Sequence, residues 1–173
     1  MSLLTPNYIL DNLQSIDMKK LKANGIRGIC LDMDNTVISI VDSSVDKEVK
    51  QCIQKLKEND FKICLVTNNP DRKRIEKVAK ELDVPYIRFA LKPLGRGFFK
   101  AKKIFRMRKL KKMAAVGDQI FTDVLGGNLL GMYTVYVKPI SLKDHLLNRI
   151  RRPLEEKLVK KAKRKLNKQE KDG

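Results

Sequence analysis

The sequence predicts a Rossmann-like three-layer α/β/α fold, a parallel sheet with helices on both faces. Two observations carry the prediction. Short apolar runs alternate with helical patterns over short connections, and successive runs end in polar residues where an open α/β sheet presents its ligand-binding edge.

Taken in order, Leu10, Leu13 and Ile16 are spaced for a short amphipathic helix packed on the domain, followed by Met18 to Lys22 and a stop at Gly25. Ile26 to Leu31 is the first strand. Asp46 caps a helix reaching Glu58, with Val49, Cys52, Ile53 and Leu56 on its buried face. Phe61 to Val66 is the second strand, and Pro70 opens a helix that turns Ile75, Val78, Ala79 and Leu82 inward. Val84 to Ala90 is the third strand. Gly95 to Leu110 reads as a helix in which Phe98, Phe99, Ala101, Ile104 and Phe105 pack while Lys and Arg face water. Strand Met113 to Val116, a helix from about Phe121 to Leu130 and strand Tyr133 to Val137 complete the alternation.

This domain covers about residues 1–140, and a tail follows over 141–173. In the tail Leu142, Leu146, Ile150, Leu154 and Leu158 recur every fourth residue among many Lys and Arg, a basic amphipathic pattern with a kink expected at Pro153.

At 173 residues the chain is long enough for one domain with a full core. Its formal charge of +18 is concentrated: Lys92 to Met113 contributes +10 without a single acid, and Ser141 to Gly173 contributes +7. Such runs point to anionic partners, a membrane surface or nucleic acid, or else to solvated helix faces. Cys30, Cys52 and Cys64 are scattered without metal-type spacing and read as buried, reduced thiols, while His145, alone in the tail, reads as a surface residue. No run approaches the roughly 18 apolar residues that span a bilayer. The N-terminus lacks the charged start of a signal peptide. The expected location is cytoplasmic, peripheral at the inner face of the membrane if the tail binds lipid.

The chemistry is carried by the strand ends. Asp32-Met33-Asp34-Asn35-Thr36 places two carboxylates two positions apart just beyond the first strand. If the chain turns after Asp32, Asp34 can swing over it, so that one acid attacks while the other moves protons. The same residues also fit a turn with an Asx bond and a helix cap. Thr67-Asn68-Asn69 after the second strand offers a hydroxyl, amides and backbone N–H groups to phosphate oxygens, and Lys92-Pro93 after the third supplies a fixed cation. Gly117-Asp118 to Asp123 after the fourth adds two carboxylates for a metal.

With these residues in these places, the chain resembles the haloacid dehalogenase (HAD) superfamily from about Ile26 to Val137, and more finely the subfamily IIIA phosphatases related to phosphatidylglycerophosphate phosphatase. The resemblance implies that Asp32 becomes an aspartyl-phosphate while Asp34 protonates the leaving alcohol and then deprotonates the attacking water. The second role asks Asp34 to carry a proton part of the time. Thr67, Asn68 and Thr36 are implied to bind the phosphoryl group, and Lys92 to neutralise charge in the transition state. For Thr67 a helix cap, and for Lys92 a surface position, is the alternative.

Asp32 and Asp118 around an anionic phosphate would repel by about 4 kcal/mol per charge pair at about 4 Å and an effective dielectric near 20. A divalent cation is therefore expected, and oxygen-only ligands favour Mg²⁺ over zinc. The family pattern gives it the Asp32 carboxylate, the Asp34 backbone carbonyl and the Asp118 carboxylate. Asp123 either orders these ligands from behind or caps a helix N-terminus. Gln119 stands where many superfamily members carry another acid.

Superfamily phosphatases often insert a lid between these motifs, but Thr36 to Phe61 has room for only a loop and one helix, and Asn68 to Lys92 for one helix and one strand. No cap domain is expected, and an open site admits a phosphate on a bulky body. The leading expectation is a Mg²⁺-dependent phosphatase of a lipid head group, most simply phosphatidylglycerophosphate, with the basic tail on an anionic membrane. A phosphatase of nucleic-acid ends or phosphoproteins comes second, disfavoured by the few aromatics beside the basic segments. A basic RNA-associated binding protein that keeps the fold without catalysis comes third.

Overall fold

The computed structural model describes residues 2–141 and 146–171, and the side chains of 146–151 and 168–171 are not described; Leu142 and His145 lie outside the described residues. The strands are β1 (Tyr8–Leu10), β2 (Gly28–Leu31), β3 (Lys62–Val66), β4 (Tyr86–Ile87), β5 (Met113–Gly117) and β6 (Tyr133–Val137). The α-helices are α1 (Met18–Ala23), α2 (Lys47–Glu58), α3 (Arg72–Leu82), α4 (Arg96–Ile104), α5 (Leu125–Leu129) and α6 (Leu146–Lys171). All strands run parallel in the order β1-β6-β5-β2-β3-β4.

The sheet is buried on both faces, which is why its central strands read as nearly unbroken apolar runs. Ile29, Leu31, Ile63, Leu65, Ala114 and Val116 point into one core shared with α2 and α3. Their neighbours Cys30, Cys64, Val66, Met113 and Ala115 point into a second core with Phe98 and Ala101 of α4. From β2 the chain winds outward through β3 and β4, then crosses back to β5 and β6. The strand order therefore reverses between β2 and β5, and a crevice opens there beyond their carboxyl ends. Asp32 and Asp118 are the first residues past those two strands. No separate cap domain covers them among the described residues.

Several expected elements differ. Tyr8–Leu10 is an edge strand paired with Val135–Val137, and Leu13–Ser15 is a 3₁₀ turn capped by the Asn12 side chain, so no amphipathic helix joins Leu10, Leu13 and Ile16. The third strand shrinks to two residues, because Phe89 and Leu91 adopt left-handed backbone (φ 47° and 53°). Helix α4 stops at Ile104, just before Arg106 turns left-handed (φ 53°), and Phe99 and Ile104 face solvent at 46% exposure each. A π-helical turn, Ile120–Val124, precedes α5.

The tail helix α6 continues through Pro153. Of the expected stripe, Leu158 packs with Val159 on Ile120, Val124 and Tyr136, but Leu154 is 54% exposed, and Arg152, Glu155 and Ala162 are buried beside it; the side chains of Leu146 and Ile150 lie outside the described residues. No helix among the described residues is long and apolar enough to cross a membrane.

Candidate active site

Asp32 extends the β2 ladder by one residue, its N–H donating to Val116 O at 2.8 Å. The chain then folds back over Met33, whose carbonyl accepts from Thr36, Val37 and Ile38, while Asn35 takes a left-handed turn (φ 58°). Asn tolerates that conformation better than most residues. The turn separates the two carboxylates of the motif.

Asp32 points inward, buried, and its Oδ1 accepts from Lys92 Nζ at 2.7 Å. The same ammonium donates to Asp123 Oδ1 at 2.6 Å. Asp34 points sideways: Asn69 Nδ2 donates to its Oδ2 at 2.6 Å and Arg74 to its Oδ1 at 3.2 Å. Arg74 also donates to the Ser39 and Asp42 carbonyls, so it locks the loop that bears Asp34.

Asp118, fully buried, stands at the end of β5. Asp123 comes back to it through the π-helical turn, a geometry often found at functional sites. Gly117 permits the return, since a Cβ there would overlap the Asp123 carboxylate. Oxygens of Asp32, Asp118 and Asp123 all lie within 4.8 Å of one another. Three buried carboxylates in one place repel strongly unless cations meet them. Two do: Lys92 between Asp32 and Asp123, and Arg152 of α6, which makes an ion pair with Asp118 Oδ2 and donates to its carbonyl at 3.0 Å. Among the described residues three carboxylates meet two basic side chains. An all-oxygen set of buried carboxylates fits a hard divalent cation.

Electrostatics follow from burial. Desolvation pushes the Asp32 carboxyl well above its ordinary range, Lys92 opposes this, and Asp123 and Asp118 add to it. Burial alone would lower the Lys92 ammonium, but Asp123 and Asp32 outweigh it and hold the proton on nitrogen. The site thus keeps a permanent cation facing the carboxylate at the end of β2.

The other expected residues sort clearly. Thr67 is buried one step past β3, and its hydroxyl accepts from Asn69 N–H at 3.1 Å. Asn68, expected at the phosphoryl oxygens, instead spends both ends of its amide on the Lys92 backbone: Nδ2 donates to Lys92 O at 3.0 Å and Oδ1 accepts from Lys92 N–H at 2.9 Å. It positions the lysine. Thr36, also expected at the substrate, is buried with its hydroxyl turned to Asp118 Oδ1 at 3.4 Å, because the fold-back over Met33 carries it beneath the site.

Asn69 was expected as part of the Thr67-Asn68-Asn69 loop, though not as the partner of Asp34, and Arg74, Arg152 and Glu155 were not expected at the site. Arg74 is one of several basic residues on α3. Arg152 and Glu155 form an i,i+3 pair in a helix that is mostly basic, and Glu155 accepts from Phe121 N–H at 3.2 Å. The adjacent acids Glu155-Glu156 in a mostly basic tail were their one signal.

Comparison with known proteins gives a consistent result. The family model described as mitochondrial PGP phosphatase matches residues 1–141. A probable phosphatase, YqeG, of Bacillus subtilis (strain 168) is 32% identical over 160 residues, covering 92% of each chain. The chloroplastic phosphatidylglycerophosphate phosphatase 1 of Chlamydomonas reinhardtii is 27% identical over 148 residues, 81% of this chain but only 55% of the algal protein. Among solved structures, the cobalt-bound deoxy-D-mannose-octulosonate 8-phosphate phosphatase of Haemophilus influenzae superposes with a TM-score of 0.53 at 15% identity, over 67% of this chain and 70% of the other. A hypothetical protein of Xanthomonas campestris gives 0.54 at 16% identity, over 80% and 77%. At such identities these structures support the fold.

Proposed function

The chain belongs to the mitochondrial PGP phosphatase family of HAD phosphatases, and from this we propose a Mg²⁺-dependent hydrolase that removes phosphate from a lipid-linked monoester, phosphatidylglycerophosphate being the leading substrate. Phosphoric monoester hydrolysis itself comes with the family; the lipid and the choice of Mg²⁺ are the parts proposed. The observation that carries the chemistry is the buried Asp32–Asp118–Asp123 cluster with Lys92 wedged into it.

Asp32 attacks phosphorus through the oxygen that Lys92 does not hold, forming an aspartyl-phosphate and splitting one high barrier into two lower ones. Lys92 Nζ, fixed by the Asn68 clamp on its backbone, neutralises charge that builds on the phosphoryl oxygens. Asp34 passes a proton to the leaving alcohol and later takes one from water, with Asn69 and Arg74 fixing its orientation. Asp32 and Asp118 would hold Mg²⁺, backed by Asp123, and the ion would supply positive charge while orienting the phosphate.

Phosphate release from phosphatidylglycerophosphate in detergent micelles, from small sugar phosphates and from 5′-phosphorylated oligonucleotides, each with Mg²⁺, tests the substrate. The lipid is expected to turn over with the highest kcat/KM. Preference for the oligonucleotide would overturn the lipid reading.

A further inference from the structure

The loop that carries Lys92 into the site turns large apolar side chains the other way. Phe89, Leu91 and Leu94 are exposed, Leu94 by 81%, and with Pro93 they line an open depression that reaches Asn68 and Lys92. Phe89 and Leu91 hold left-handed backbone, which bulky L-residues adopt only at a cost. Burial does not explain that cost, because both side chains stay in water. Helix α4 continues the surface: Arg96, Phe99, Lys100, Lys103 and Ile104 are exposed and fall on one face at helical spacing. Arg88 lies over the Phe89 ring, 5.0 Å from its centre.

We propose that this surface, from Arg88 to Ile104, is where the protein lies on an anionic lipid bilayer. Phe89, Leu91, Leu94 and Phe99 enter the headgroup layer, and Arg88, Arg96, Lys100 and Lys103 meet lipid phosphates. The proposal rests on the lipid-phosphate reading, because it seats the membrane against the loop whose Lys92 faces Asp32. Charge and hydrophobicity choose the partner together. Exposed apolar patches mark contact surfaces, and no acid interrupts the chain from Lys92 to Met113. A bilayer with anionic headgroups offers hydrocarbon and negative charge side by side. Phe89 and Phe99 could stack on bases but Leu91 and Leu94, the most exposed of the four, could not, whereas all four can enter hydrocarbon, which favours a bilayer over nucleic acid. Helix α6, the other basic segment, has Arg152, Glu155 and Ala162 committed to the domain.

The test is co-sedimentation of the full chain with phosphatidylcholine vesicles, with and without phosphatidylglycerol, at low salt. Wild type is expected to bind the anionic vesicles and not the neutral ones. Leu94→Glu, at a side chain too exposed to matter for folding, is expected to weaken vesicle binding about tenfold through lost insertion and added repulsion, while hydrolysis of a small soluble phosphate ester stays unchanged. Lys160→Glu/Lys161→Glu on α6 is expected to weaken binding far less. Equal binding by wild type and Leu94→Glu, or loss only with the α6 variant, would overturn the surface. The lipid reading fails separately: no turnover of phosphatidylglycerophosphate in micelles, with Leu94-dependent vesicle binding intact, would sink the substrate and keep the docking face.

Discussion

Burial decides the chemistry of single side chains in this protein. Asp32 and Lys92 lie in one buried contact, yet both are shifted upward, the acid by desolvation first and the base by its two carboxylate neighbours against desolvation. The cysteines show the same force without a function attached. Burial pushes Cys64 up to about 12, and raises Cys30, with Cys64 adding to the effect, and Cys52. An unfolded thiol ionises near about 8.5. A folded pKa above that value means the folded state keeps protons the unfolded state has lost, so stability is full below about pH 8.5 and falls as pH rises toward 12. Tyr136, pushed up to about 12 by burial, acts in the same direction. Urea midpoints should fall steadily above pH 8.5, and native thiols should resist an aromatic disulfide reagent at neutral pH. A midpoint that holds or rises through that range would contradict the burial of these groups.

At this scale part was legible. Asp32 and Asp118 stand directly past β2 and β5, and a strand end in a parallel sheet has a fixed place in space, whereas Lys92 and Asp123 reach the same place through the loop after β4 and a π-helical turn. Asn68 and Thr36 sit in the expected loops but turn to Lys92 and Asp118, because hydrogen bonds to distant stretches of chain choose the side-chain direction and local spacing does not encode them.

Among the elements, α6 changes the account most. Its pattern reads as a membrane-seeking tail, but the helix inserts Arg152 against Asp118 and Glu155 against the Phe121 N–H group. Removing one partner of a buried ion pair typically costs about 3–5 kcal/mol because the other charge is left uncompensated. Arg152→Ala should therefore lower the thermal midpoint markedly in EDTA. Mg²⁺ should raise the midpoint of the variant more than that of wild type, since the ion then supplies the missing charge beside Asp118. Equal Mg²⁺ shifts in the two proteins would contradict that role. The helix itself was legible, but not its docking, because the buried face adds Arg152, Glu155 and Ala162 to Leu158 and Val159 and so departs from a simple apolar stripe. At the edges β1 was missed as a strand and β4 was expected but drawn too long, because both are two or three residues long and owe their form to pairing with distant chain. The central strands were legible, being buried on both faces.

For the whole molecule, fold and charge act together. The sheet reverses its order between β2 and β5, the crevice gathers acids from two distant stretches of chain, and two basic side chains from two others meet that charge. With no cap domain among the described residues, the same edge stays open to a phosphate carried on a large body. The buried carboxylate cluster is what would tie catalysis to a divalent ion and to Asp32. The most direct measurement is inorganic phosphate release by wild type and Asp32→Asn, each stripped with EDTA and then given Mg²⁺. Wild type should be silent after stripping and recover with Mg²⁺, while Asp32→Asn, folded to the same thermal midpoint or higher, should lose on the order of 10⁴-fold or more in turnover in either condition. Undiminished release by the variant, or by the stripped wild type, would contradict the account.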